Sequence, residues 1–136
     1  MQTFVPMCSY AQSAKVLDYR RLGKQRVECK QLYNALTGKS TGWANHPAAK
    51  MWMGNEYGLL VYASIICEEW SRRGYKDQQL SFFNLAMQKH DQSDVYPSWW
   101  GGSIHASHRS NLLRKDPDWY GQFNWSEPDD MEYVWP

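Results

Sequence analysis

The chain is poor in cysteine, has no long apolar run, and carries no Lys or Arg beyond residue 115. Its three cysteines, Cys8, Cys29 and Cys67, are odd in number and widely spaced. That argues against a disulfide framework and for reduced thiols. No stretch approaches the roughly eighteen apolar residues that a membrane helix requires, so no membrane association is expected. No charged segment followed by an apolar run opens the chain, so no signal peptide is read and a cytoplasmic setting is expected. Cys-x-x-Cys and His-Glu-x-x-His are both missing, and neither an internal repeat nor a low-complexity linker interrupts the sequence.

What is present is aromatic and unevenly charged. The 136 residues include eight Trp, nine Tyr and four Phe, too many of them in polar, Pro/Gly-rich surroundings for all to be core. A formal net charge of +1 conceals a basic body, +7 up to Lys115, and a tail from Asp116 that carries −6. Length and composition predict a single domain over 1–136, monomeric, with an acidic aromatic tail at 121–136 packed on it or extending from it.

Hydrophobic spacing predicts an all-α protein of three principal helices with irregular aromatic-rich loops. Residues 9–37 read as helical with a break near Gly23, and Gly38 is the terminator. A second helix is expected from Asn45 as N-cap to Arg73, with Pro47 in its first turn, a Leu59, Tyr62, Ala63, Ile66, Trp70 stripe, and Gly74 as its stop. Gly54 and Gly58 weaken that helix, and close approach of another backbone is the expected compensation. A short helix over 80–87 and a third main helix over 104–115 follow. Asp116-Pro117 then resembles an N-cap and first-turn pair.

Two segments carry the chemistry. The run Leu17-Asp-Tyr-Arg-Arg-Leu-Gly-Lys-Gln-Arg-Val-Glu28 places four cations in seven residues. On a helix Arg20 and Lys24 share a face, with Arg21 and Gln25 beside them. Arginine clamps phosphate bidentately and glutamine reads or wedges a base edge, whereas the plain alternative is a solvated face salted by Asp18 and Glu28. The second segment, His105 to Tyr120, sets His105, His108, Arg109, Asn111, Arg114 and Lys115 beside Trp119-Tyr120. Contacts to phosphate or bases, or simple capping and packing, are the competing readings. His105 and His108, three apart, form half of a metal site that would need His46 or His90, so no metal or other cofactor is expected. Trp99-Trp100 and Trp119-Tyr120 are candidate stacking platforms for unpaired bases, with core packing as the alternative, and Trp43, Trp52 and Trp70 are assigned to the core. Cations interleaved with aromatics suit nucleic acid, and Arg26, His46 and Lys50 join the candidate binding residues.

The chain resembles the endonuclease V-type pyrimidine-dimer DNA glycosylase family, in its branch carrying Leu-Asp-x-x-Arg-Leu-Gly-Lys-Gln-Arg-Val-Glu. Tyr19-Arg20 with Leu22, Gly23, Arg26 and Val27 looks like that family's active-site helix. His46 through Arg73-Gly74-Tyr75 looks like its second helix, and His105-Ala-Ser through Pro117-x-Trp119-Tyr120 like its third. The resemblance implies a compact three-helix enzyme whose N-terminus packs on the first helix, acting on double-stranded DNA with damaged or modified bases. Its location would then be at the nucleoid of a bacterium or in the host cytoplasm for a phage protein. The implied nucleophile is the N-terminal α-amine, here that of Met1, attacking C1′ to form an imine, release the base and nick the strand by β-elimination. An α-amine ordinarily titrates at about 7.7–8.0, far below lysine, so part of it is neutral and nucleophilic near pH 7. At the position of the family's catalytic glutamate this chain has Arg21. Glu28 is the expected replacement, Asp18 the other candidate acid or base, and Lys24 the alternative amine. Two other readings stay open: a non-catalytic nucleic-acid-binding module, and a metal nuclease built on His105, His108 and His46.

Overall fold

A computed structural model describes residues 1–90 and 94–136. The described residues form helices and no strands: α1 Tyr10–Val16, α2 Tyr19–Leu36, α3 Pro47–Lys50, α4 Glu56–Arg72, α5 Leu80–Met87, α6 Ile104–Lys115 and α7 Pro117–Tyr120, then a 3-10 turn Gly121–Phe123. The three long helices are those expected, α2, α4 and α6. None of the described helices is long and apolar enough to cross a membrane.

Two breaks fall elsewhere than the sequence suggested. The first helical region divides at Leu17-Asp18, where Leu17 is extended and Asp18 caps α2 by accepting from the Arg21 N–H. Gly23 instead lies inside α2, and a methyl group there would meet the Trp70 ring of α4 at 3.0 Å. The missing side chain lets α2 and α4 cross closely. The second region divides at residues 51–55: His46, not Asn45, caps α3, and Asn55 caps α4 by accepting from the Gly58 N–H. Gly54 makes that turn at φ +83°, a left-handed conformation that costs glycine little. Close backbone approach holds at Gly58 alone, where an added Cβ would lie 2.8 Å from the Val95 carbonyl oxygen.

α4 is the central helix, packed on α1, α2 and α5. Leu59, Leu60, Tyr62, Ala63, Ile66 and Cys67 of α4 are buried against Leu22, Cys29 and Leu32 of α2, with Trp52, Phe83 and Leu112 completing the core. Full burial of such side chains contributes about 1.5–3 kcal/mol each. Trp52 is fully buried, whereas Trp43 and Trp70 are only half-buried against the core.

α6 departs from this apolar pattern. His105, Ser107, His108, Ser110 and Asn111 are all buried. Buried polar groups need partners, and these find them in two irregular segments, residues 2–7 and 127–134. The helix is a polar spine between the chain's two ends.

Candidate active site

Residues 2–7 run through the core with no strand to pair with, so side chains must satisfy their backbone. Gln25 of α2 accepts from the Phe4 N–H (3.0 Å) and donates to the Gln2 carbonyl (2.8 Å). The Tyr62 hydroxyl donates to the Phe4 carbonyl at 2.6 Å. His108 Nδ1 accepts from the Val5 N–H (2.9 Å), and His105 Nδ1 lies 2.6 Å from the Val5 carbonyl. Arg109 donates to the Pro6 carbonyl (2.8 Å), and Ser13 Oγ accepts from the Met7 N–H (3.0 Å). Trp52 Nε1 donates to Thr3 Oγ1 at 2.9 Å.

The two histidines act on Val5 like a neighbouring strand. His105 Nε2 accepts from the Gly101 N–H (2.9 Å), so its proton sits on Nδ1 and is donated to the Val5 carbonyl. His108 accepts at Nδ1 and is therefore neutral; burial, then the neighbouring His105, pushes its pKa down to about 3. These assignments consume both Nδ1 atoms and His105 Nε2, leaving only the fully buried His108 Nε2. That arrangement suits a clamp on the chain and does not present two nitrogens to one ion.

The clamped segment delivers Met1 to a cleft of about 250 Å³ lined by Met1, Gln2, Phe4, Arg21, Lys24, Gln25, Glu28, Lys115 and Tyr133. Burial raises the Glu28 carboxyl above its ordinary value; the α-ammonium of Met1, the Gln2 N–H and Lys24 oppose but do not cancel this. His46 also feels the Met1 amine: burial first, then that positive charge, lower its pKa. Its Nδ1 accepts from the Ala48 N–H at 3.0 Å, and its ring meets Trp43 and Trp135 edge-on.

Arg21, Lys24 and Lys115 also border an adjoining groove of about 510 Å³ with Asp18, Tyr19, Arg20, Asp116 and Trp119. Burial and then the charges of Arg21, Arg114 and Lys24 lower the Lys115 ammonium, a sign of crowded cations. Among the described residues neither Lys24 nor Lys115 has a carboxylate within ion-pair distance, and Arg21 pairs with Asp18 at 3.1 Å. The two openings share Arg21, Lys24 and Lys115 on their walls, and Met1 lines the first of them.

Of the residues expected at the site, the structure gathers Met1, Glu28 and Lys24 with Arg21 and Lys115 at the cleft, and Arg20 and Trp119 at the groove. The others lie elsewhere. Asp18 is a buried cap whose carboxyl burial would raise, but hydrogen bonds from Tyr120 and Arg21 outweigh this and hold it low. It lines the groove and not the cleft with Met1 and is already engaged, so it is a poor proton shuttle. Gln25 is 1% exposed and spends its amide on the N-terminal segment, so it cannot read a base edge. His105, His108, Asn111 and Tyr120 are buried for the same kind of reason: each satisfies a backbone or capping group inside the fold. Arg26 pairs with Asp77 at 2.9 Å beneath the Trp70 ring. Arg109 clamps Glu127 with two nitrogens, and Arg114 holds the carbonyls of Asp129 and Met131. Trp99 and Trp100 donate to the carbonyls of Met51 and Cys8 and are half-buried. Lys50 is exposed on α3 and does not line the cleft. Sequence reasoning missed Gln2, Phe4 and Tyr133. Only the aromatic, acidic character of the tail hinted at the last.

The helical frame of the described residues threads residues 2–7 through its core and sets Met1 in one cleft with Glu28, Arg21, Lys24 and Lys115. The chain belongs to the pyrimidine dimer DNA glycosylase family, whose model matches residues 1–82. The matched region holds the N-terminal segment, α2 with Glu28, and α4. No curated protein matches the chain, and no solved structure matches it.

Proposed function

We propose that this protein is a DNA glycosylase with associated AP-lyase activity on damaged or modified pyrimidines in duplex DNA, pyrimidine dimers being the substrate its family suggests. The observation that carries this reading is the Met1–Glu28 pair in one cationic cleft, with the intervening chain immobilised by buried side chains. Fixing a nucleophile in this way supplies the orientation that accelerates attack.

In this reading the lone pair of the neutral Met1 amine attacks C1′ and the glycosidic electrons leave with the base. The attached nitrogen, now a secondary ammonium, gives a proton to the departing base; Glu28, its carboxyl raised by burial, protonates the sugar-ring oxygen, and the freed nitrogen lone pair opens the ring to the iminium. As a carboxylate Glu28 then takes a C2′ proton; the electrons form the C2′–C3′ double bond and the 3′ phosphate departs. Water finally releases the amine. Arg21, Lys24 and Lys115 hold flanking phosphates, with Arg20 and Trp119 along the groove. Lys24 shares the cleft and is the alternative amine.

Arg21, at the family's glutamate position, favours a second reading, a binding module without catalysis. Borohydride trapping separates the two. Incubation with ultraviolet-irradiated and abasic-site duplexes is expected to yield a covalent adduct that maps to Met1. An adduct at Lys24 moves the nucleophile, and binding without any adduct supports the module.

A further inference from the structure

The C-terminal tail is held with the same care as the N-terminal segment, and by the same helix. Ser110 Oγ accepts from the Met131 N–H (3.0 Å), Asn111 donates to the Met131 carbonyl (3.1 Å), and Ser107 Oγ accepts from the Val134 N–H (3.2 Å). Upstream, Arg109 and Glu127 form a two-nitrogen ion pair with a closest approach of 2.6 Å. The anchors at 131 and 134 flank Tyr133 and fix where its side chain goes. Its ring sits edge-on to His108 at 5.8 Å and near Phe4 at 6.5 Å, and it forms part of the cleft wall beside Met1. Two residues on, Trp135 packs on Tyr133 and on His46, whose charge state senses the Met1 amine. α6 therefore positions the nucleophile and this wall in register with each other.

The cleft is thus two-sided. Arg21, Lys24 and Lys115 make a cationic side suited to phosphate, and Phe4 and Tyr133 make an aromatic side. A nucleotide presents both chemistries, charge at its phosphate and a π-face at its base. We infer that Tyr133 is a specificity-determining residue, whose ring packs against the base of the nucleotide attacked at C1′. This rests on the glycosylase reading but concerns a part of the chain beyond residues 1–82. The tail is then a wall of the site and selects base-bearing lesions over abasic sites, which have no ring to pack.

The test is an affinity ratio and needs no turnover. Binding of the full chain to a duplex with one pyrimidine dimer is compared with binding to a duplex bearing a tetrahydrofuran abasic analogue. Tyr133→Leu, which keeps bulk but removes the π-face, is expected to lower the preference for the dimer duplex about tenfold. Tyr133→Phe should retain it. A purely structural role would weaken both duplexes equally, and an unchanged ratio, or equal weakening, overturns the inference. Should Tyr133→Leu fail to fold, photocrosslinking of the wild-type chain to 4-thiothymine at the target position must reach Tyr133; crosslinks confined elsewhere overturn it too. A Met1 adduct with a ratio indifferent to Tyr133 refutes this inference alone. A Tyr133-dependent ratio without any adduct refutes the glycosylase chemistry alone.

Discussion

Replacing Gln25 by alanine tests whether the N-terminal segment is held as described. Gln25 accepts from the Phe4 N–H and donates to the Gln2 carbonyl, and its Oε1 lies 2.7 Å from Tyr62 Oη, whose single proton it competes for with the Phe4 carbonyl. In Gln25→Ala the Tyr62 hydroxyl keeps the Phe4 carbonyl, 2.6 Å away, so it is not orphaned. The Phe4 N–H and the Gln2 carbonyl are. A buried polar group left without its partner costs about 1–3 kcal/mol. Gln2 is buried as well, so two orphaned groups make the expected loss of stability about 2–6 kcal/mol, read from urea denaturation. The functional loss should be larger than stability alone implies, because a nucleophile displaced by about 1 Å loses on the order of a hundredfold in rate. The rate of borohydride-trappable imine formation on an abasic duplex, measured under conditions where the variant is folded, reports this directly. A variant within about 0.5 kcal/mol of the wild type and trapping at the same rate would refute the argument.

Three further outcomes are expected. The His108 pKa of about 3 lies below the ordinary 6.5, so the unfolded chain takes up the proton first. That contribution is complete above about pH 6.5 and is lost as pH falls toward 3, at about 1.4 kcal/mol per pH unit; His105 shifts in the same direction and Glu28 in the opposite one. Urea midpoints equal at pH 7 and pH 5 would contradict it. Glu28→Gln should leave DNA binding intact while strand nicking falls about 10²–10⁴-fold, and nicking at the wild-type rate would remove Glu28 from the mechanism. Gly58→Ala should lower the unfolding free energy because the clash with the Val95 carbonyl, about 1–3 kcal/mol, exceeds the helix-propensity gain of about 1 kcal/mol; a more stable variant would show that the backbone there yields freely.

Helices were legible where periodicity and caps agreed. α6 and α7 fall at 104–115 and 117–120 because Asp116 both ends one helix and caps the next, a signal written in Asp-Pro itself. The break before α2 was misplaced at Gly23 because glycine's low propensity was weighed without its packing; Trp70, 47 positions away in the chain, decides that Gly23 belongs in the helix. The division at 51–55 was hidden for the opposite reason: Gly54 needed a left-handed turn, and the apolar residues around it continued the helical pattern. At the site, Met1 was expected from the resemblance and Glu28 and Lys24 from their nearness to Arg21, and one cleft brings the three together. Gln25 was expected to contact phosphate or a base, and for His105 and His108 such contacts stood against simple capping and packing; in the structure all three bond the N-terminal backbone. Their partners are the backbone groups of residues 2–6, and no periodicity announces that an irregular segment will be buried.

This also accounts for the unusual polarity of the core. An extended segment inside a helical protein exposes its amides and carbonyls to an interior that has no strand to answer them. Each must be met by a side chain of fixed reach, which is why Gln25, Tyr62, His105, His108 and Arg109 cluster on Gln2 to Pro6. Such a network is satisfied in one register only. A slip of one residue would orphan several of these groups at once, at about 1–3 kcal/mol each, and would carry Met1 out of the cleft it shares with Glu28. The buried polar residues that appear to weaken the core therefore set the position of the chain's first atom. On the proposed reading, in which that amine attacks the sugar, register and reactivity become the same property.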